Sequence, residues 1–152
     1  MKILVLSDSH GRVGMMLDVI EREKPQRVFF LGDHYDDGKA LADAYPQIPM
    51  DLVRGNCDWC AVPDELVVDV EGVRFLLTHG HRYYAKSGLD WLVDAGREKG
   101  ADMVCFGHTH EALNMPLGGV WLFNPGTAGG IHARPGYGVL MVENGRVRGD
   151  LR

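Results

Sequence analysis

Five short apolar runs in this chain each stop at a cluster of side chains able to bind metal, most of them beside a glycine. Lys2–Ser7 leads into Asp8-Ser9-His10, Arg27–Leu31 into Gly32-Asp33-His34, and Met50–Arg54 into Gly55-Asn56-Cys57-Asp58. Val73–Leu77 leads into Thr78-His79-Gly80-His81, and Met103–Phe106 into Gly107-His108-Thr109-His110. Runs this short and this rich in Val, Leu, Ile and Phe predict buried strands. Open α/β folds build their sites at the carboxyl ends of neighbouring strands, which is where these polar clusters fall. One Asp or His in a loop is ordinarily a surface residue; five coincident loops point to a site.

The segments between the runs set the fold class. Val13–Glu23 places Val13, Met16, Leu17 and Ile20 on one helical face. Gly38–Ala44 predicts a short helix, and Ser87–Lys99 a longer one with Leu89, Leu92 and Val93 in step and Gly100 at its C-terminal cap. Strand and helix alternate in the first half, which predicts parallel pairing with helices outside. Later the pattern changes. Leu66–Val70 and Val73–Leu77 flank Glu71-Gly72 as a hairpin; Val120–Phe123 and Gly138–Val142 add strands; and Asn144-Gly145 turns into Arg146–Arg148. This exceeds one parallel sheet, so two packed sheets flanked by helices are expected. Residues 1–152 read as a single domain, long enough to bury a core without disulfides.

Charge and composition narrow the partners. A net charge of −5 gives no global attraction for nucleic acid or an anionic membrane, so a phosphate-bearing substrate needs local positive charge. No stretch approaches the roughly 20 apolar residues of a membrane span, and Met1-Lys2-Ile3 opens directly into an apolar run without a signal peptide. Cys57, Cys60 and Cys105 do not make a secreted disulfide framework. A cytoplasmic protein is expected.

The ligand types have a chemical logic. Asp8, Asp33 and Asn56 offer oxygen, while His10, His79, His108 and His110 offer imidazole nitrogen. Seven groups suit two ions sharing one carboxylate. The mixed set favours Mn²⁺, Fe²⁺ or Zn²⁺ over Ca²⁺ or an all-oxygen Mg²⁺ cage. Two divalent ions against two carboxylates leave the site net positive, as a phosphate ester requires.

The blocks Asp8-Ser9-His10, Gly32-Asp33, Gly55-Asn56-Cys57-Asp58, Thr78-His79-Gly80-His81 and Gly107-His108-Thr109-His110 resemble the calcineurin-like metallophosphoesterase superfamily. Asn124-Pro125-Gly126-Thr127 is similar to the Asn-Pro-Gly-Ser segment of its small bacterial and archaeal phosphodiesterase branch, and the ordered likeness runs from Met1 to about Val142. The resemblance implies a four-layer αββα sandwich of two mixed sheets and a dinuclear centre. It assigns Asp8, His10 and His110 to one ion and Asn56, His79 and His108 to the other, with Asp33 bridging. Mn²⁺ is the leading ion, with Zn²⁺, Fe²⁺, Ni²⁺ or Mg²⁺ as alternatives. The implied reaction is in-line attack on a small phosphodiester by a metal-bound hydroxide. Asn56, His81 and Cys57 are the groups expected beside the reacting ester, and Asp58 is expected to orient a neighbouring ligand. Small members of this family often form dimers or tetramers.

Cys57 departs from the larger members, which carry a His after the metal-binding Asn to protonate the leaving oxygen. A thiol is a poorer acid for that task at neutral pH, so esters with good leaving groups should be preferred. Cys57-Asp58-Trp59-Cys60 also spells a C-x-x-C pair, but no thioredoxin context or second pair accompanies it. Cys105, in an apolar run, reads as core. His34 reads as substrate contact or loop filler, and His132 with Arg134 as phosphate contacts or an exposed loop. Tyr83, Tyr84, Trp59 and Trp91 read as core residues, a site mouth or a subunit interface. A phosphomonoesterase or dinucleotide hydrolase is the nearest alternative within the fold. From another class, a protein-interaction scaffold resembling the retromer small subunit is expected to lack some of the seven ligands, and none is lacking here. The chain leaves no room for an extended nucleic-acid groove.

Overall fold

In the computed structural model, which describes residues 1–152, strands Lys2–Leu6 (β1), Arg27–Phe30 (β2) and Met50–Leu52 (β3) pair in parallel. Helices Val13–Glu23 (α1) and Tyr35–Ala44 (α2) make the connections. Glu65–Val70 (β4) and Val73–Thr78 (β5) form the expected hairpin. Glu71 and Gly72 both take positive φ, the backbone that a tight two-residue turn demands. Helix Asp90–Glu98 (α3) leads to Met103–Cys105 (β6), followed by Leu113–Leu117 (β7), Val120–Asn124 (β8), Gly138–Glu143 (β9) and Arg146–Leu151 (β10). The strands divide into two five-stranded sheets, ordered β10-β9-β1-β2-β3 and β4-β5-β6-β8-β7. Each mixes parallel and antiparallel pairs.

Three apolar layers account for the stacking. Alternate residues of β1 and β2 point opposite ways: Ile3, Val5, Phe29 and Leu31 face the second sheet, while Leu4, Leu6, Val28 and Phe30 lie under α1 and α2. In the second sheet Phe75, Leu77, Met103 and Cys105 face inward, and Leu76, Val104 and Leu122 lie under α3. Phe29 and Phe75 meet edge to face between the sheets, 5.3 Å between ring centroids. Both faces of each central strand are thus buried, which is why these runs read as continuously apolar rather than alternating. The result is the αββα sandwich.

Differences from the sequence reading are local. Helix α2 begins at Tyr35 rather than Gly38, and α3 spans Asp90–Glu98 rather than Ser87–Lys99, with Gly100 at φ +63° just beyond. Strand β7 was not anticipated. Its Pro116 cannot donate to a ladder, and β7 lies at the sheet edge, where that loss is tolerated. No helix is long and apolar enough to cross a membrane.

Candidate metal centre

Both sheets deliver residues to one end of the sandwich. Loops after β1, β2 and β3 carry Asp8, His10, Asp33 and Asn56, and loops after β5 and β6 carry His79, His81, His108 and His110. Asp8, Asp33 and His79 are buried, His10, His108 and His110 are half-buried, and Asn56 is exposed, so the group runs from a buried floor to an open rim. Asp8, His10, Asp33, His108 and His110 all adopt left-handed backbone, with φ between +46° and +66°. That conformation costs about 1–2 kcal/mol per non-glycine residue. It persists here because hydrogen bonds hold each loop in place.

Asp8 shows the result most clearly. Its Oδ2 accepts from the Ser7 hydroxyl at 2.5 Å and the His108 N–H at 3.1 Å. Its carbonyl accepts from the Thr127 hydroxyl and the Gly129 N–H. Its Oδ1 is fully buried without a hydrogen bond, 3.0 Å from His110 Nε2 and 3.9 Å from His79 Nε2. Asp33 is held likewise: its N–H donates to Asp58 Oδ2 at 3.0 Å, and its Oδ1 accepts from the Cys57 N–H at 3.0 Å. Asp58 also accepts from the Gly55 and Tyr35 N–H groups, tying the β2 and β3 loops together.

The histidines are oriented from behind. His79 Nδ1 is 2.7 Å from the Leu31 carbonyl, so that nitrogen carries a proton and Nε2 faces inward, free to take a second proton or a metal. That Nε2 lies 3.2 Å from Asn56 Oδ1 and 3.4 Å from Asp33 Oδ1. His110 Nδ1 faces the Ile131 carbonyl at 3.1 Å in the same way, and His10 Nε2 is buried without a partner. Asp8 Oδ1 and His10 Nε2 are thus buried without a hydrogen-bond partner in a ring of carboxylates and imidazoles. Two carboxylates there favour positive charge, supplied by a proton on His79 or by a bound ion. The potential ligand atoms of Asp8, His10 and His110 lie within 4.8 Å of one another, as do those of Asp8, Asp33 and His79. Mixed carboxylate, amide and imidazole donors fit first-row divalent ions.

Electrostatics sharpen this picture. Burial pushes His108 down to about 4, helped by the positive charge of His79, and burial also lowers His10 and His81. These imidazoles are neutral at pH 7, as metal binding requires. Burial alone would lower His79, but the hydrogen bond with Asp33 and the charges of Asp8 and Asp33 outweigh it and raise the pKa. For Asp33, burial is outweighed by His79 and the Cys57 N–H, and its pKa falls.

These shifts set the pH dependence of the metal-free protein. Between about 4 and the ordinary histidine value, the unfolded chain binds a proton at His108 that the folded chain does not, so stability falls as pH drops through that window. Above the ordinary value the folded chain keeps a proton on His79 that the unfolded chain has lost, so stability falls as pH rises toward the folded pKa. Urea melts in EDTA should give a bell-shaped profile with its maximum near pH 6.5. Saturating Mn²⁺ should remove the alkaline limb, because a metal replaces the His79 proton. An alkaline limb that persists with metal would count against His79 as a ligand.

The remaining expectations separate cleanly. His81 joins the cluster, its ring centroid 5.5 Å from His79 and 6.1 Å from His108, with a buried, unpartnered Nδ1. Cys57 is exposed beside Asn56, and burial together with the Asp33 charge raises its thiol pKa. Cys57 and Cys60 are free thiols, and Cys105 is core. His34 packs its ring 5.2 Å from that of His10, whereas His132 and Arg134 lie exposed. Trp59, Tyr84 and Trp91 are exposed rather than core. Sequence reasoning missed Asp37, whose Oδ2 accepts from the Ser9 hydroxyl and the Gly11 N–H, both at 2.7 Å. It also gave Asn124 no task; its amide donates to the Gly107 carbonyl at 3.0 Å and the Thr109 hydroxyl at 3.1 Å, fixing the loop between His108 and His110. The Asn-Pro-Gly turn was the available signal.

Comparison with known proteins supplies the family. The family model described as the calcineurin-like phosphoesterase superfamily domain matches residues 1–145. The probable metallophosphoesterase YsnB of Bacillus subtilis is 32% identical over 95% of this chain and 86% of its own length. A phosphodiesterase of Methanocaldococcus jannaschii is 31% identical over 97% of each chain. The structure of Vps29 complexed with Zn²⁺ from Entamoeba histolytica superposes with a TM-score of 0.77 over 100% of this chain and 98% of that one. At 22% identity the likeness extends to fold alone.

Proposed function

Because this chain belongs to the calcineurin-like phosphoesterase superfamily, we propose that it is a phosphodiesterase for small phosphate esters with good leaving groups, working through a dinuclear centre. The metal-dependent phosphoesterase class comes with the family; the substrate and the pair of ions are our reading. One observation carries it: Asp8 Oδ1 and His10 Nε2 are buried without a partner where the carboxylates of Asp8 and Asp33 meet the imidazoles of His79 and His110 at one end of the sheets. Asp8, His10 and His110 would hold one ion and Asn56, His79 and His108 the other, with Asp33 between them. When bound, two such ions lower the pKa of a water toward neutrality and offset charge on the phosphoryl oxygens. Mn²⁺ is the ion we favour.

The chain's own groups then divide the remaining work. His81, neutral and beside His79 and His108, is placed to hydrogen-bond a phosphoryl oxygen. Asp58 and Asn124 keep the loops of Asp33 and His108 in register. Cys57, its thiol pKa raised, is a weak acid for the departing oxygen. General acid catalysis contributes about 10²–10⁴ in rate, so a substrate that needs it should be slower by at least about 10².

Metal-stripped protein titrated separately with Mn²⁺, Zn²⁺, Ni²⁺ and Mg²⁺ should recover hydrolysis of bis(p-nitrophenyl) phosphate. It should hydrolyse an alkyl phosphomonoester at least about a hundredfold more slowly. Equal rates on both would overturn the reading of Cys57. No hydrolysis at full occupancy by any of the four ions would move the protein to the scaffold class. A scaffold has no need of seven converging ligands, so the enzyme reading stands first. We also place the protein in the cytoplasm, where free Cys57 and Cys60 stay reduced.

A further inference from the structure

We propose that the cavity formed by His34, Tyr35, Cys57, Trp59 and Cys60 receives the aromatic ring of an aryl or nucleoside phosphodiester. The proposal rests on the phosphodiesterase reading above and names the group beside the phosphate. The cavity and the metal centre share walls. His34 follows Asp33 directly, and its ring lies 5.2 Å from that of His10. Cys57 follows Asn56, and its N–H donates to Asp33 Oδ1 at 3.0 Å. A phosphate held at the centre therefore has this cavity as its neighbour.

Size and lining define the occupant. At about 320 Å³ the cavity stands at the small end of ligand sites, which run from roughly 300 to 1,000 Å³, and suits a single ring system. Trp59 is 96% exposed, although an indole is among the side chains with most to gain from cover. With Tyr35 and the His34 imidazole it offers flat faces on which a ring can stack. Asp36 also lines the cavity and opposes a second phosphate there. The Asp58 carboxylate, already accepting from three backbone N–H groups, has little capacity left for a ligand. What remains is a surface for an uncharged ring.

Calorimetric titration of the Mn²⁺-loaded protein tests this with adenosine 5′-monophosphate, phenyl phosphate and ribose 5-phosphate. At least one aromatic phosphate should bind about tenfold more tightly than ribose 5-phosphate, and the better of the two separates a nucleobase from an aryl ring. Trp59→Ala should bring that ratio to about one while the ribose 5-phosphate Kd stays put; Trp91→Ala should leave the ratio intact. A ratio near one in the unmodified protein, with ribose 5-phosphate bound and hydrolysis intact, overturns the ring site alone. Absence of both binding and metal-dependent hydrolysis overturns the phosphodiesterase reading and the ring site with it. If Trp59→Ala changes the sedimentation of the protein but not the ratio, a second copy of the chain covers the indole and the proposal falls.

Discussion

Replacing Asp8 with Asn should abolish metal-dependent hydrolysis and, at alkaline pH where His79 has lost its second proton, make the metal-free protein more stable. Asp8 is fully buried, and its Oδ1 has no hydrogen bond while His110 Nε2 stands 3.0 Å away. An amide oriented with its oxygen on Ser7 and the His108 N–H would turn N–H donors toward His110 and His79. Satisfying a buried orphan acceptor is worth about 1–3 kcal/mol. In a domain of this size each kcal/mol raises Tm by about 2–4 °C. With metal the sign reverses, because the variant loses a charged ligand. Charge stabilisation by a catalytic ion is worth several kcal/mol, so kcat/KM should fall by about 10³ or more. Thermal melts at alkaline pH in EDTA and in Mn²⁺, run beside the kinetics, check both halves. A variant less stable than the parent in EDTA would show that the Asp8 charge is satisfied within the protein itself.

Gly55→Ala should be among the most damaging single-methyl changes in the chain. A Cβ there would overlap Asp33 Oδ1 and lie 2.5 Å from Asp33 N. Asp33 has no room to retreat: its N–H is committed to Asp58 and its Oδ1 to Cys57, while the Gly55 N–H itself donates to Asp58 at 2.7 Å. Overpacking a rigid site costs about 1–3 kcal/mol and occasionally more, and here the displaced group is a ligand, so metal affinity should fall with stability. Gly14→Ala is the control. It sits in α1 with nothing within 4 Å of the added methyl, and should gain about 0.5–1 kcal/mol while leaving hydrolysis unchanged. Urea denaturation and Mn²⁺ calorimetry on the two variants read out the contrast. Equal metal affinity in Gly55→Ala and the parent would mean that Asp33 is not a ligand.

How much of this was legible in the sequence depends on the kind of information. Buried strands announced themselves through short apolar runs, and the candidate ligands through their place at the ends of those runs. Asn144-Gly145 marked a hairpin because both residues tolerate positive φ, and both adopt it. Strand β7, which contains Pro116, was hidden because an edge strand needs neither an apolar run nor an unbroken ladder. Asp37 was hidden for a different reason. An Asp in the first turn of a helix looks like a dipole partner, and its bonds to Ser9 and Gly11 exist only once β1 and β2 lie side by side. Trp59 offered no periodicity at all, and its exposure emerged only from the loop's path.

The candidate centre draws its oxygen ligands from one sheet and His79, His108 and His110 from the other, so any ion bound there fastens the two halves of the sandwich like a rivet. The interlayer residues then act as a gauge block. Packed sheets stand about 10 Å apart, and Phe29 against Phe75 helps set that spacing well inside the protein. Trimming either ring touches no ligand, yet it would let the halves settle toward each other and detune every distance across the seam.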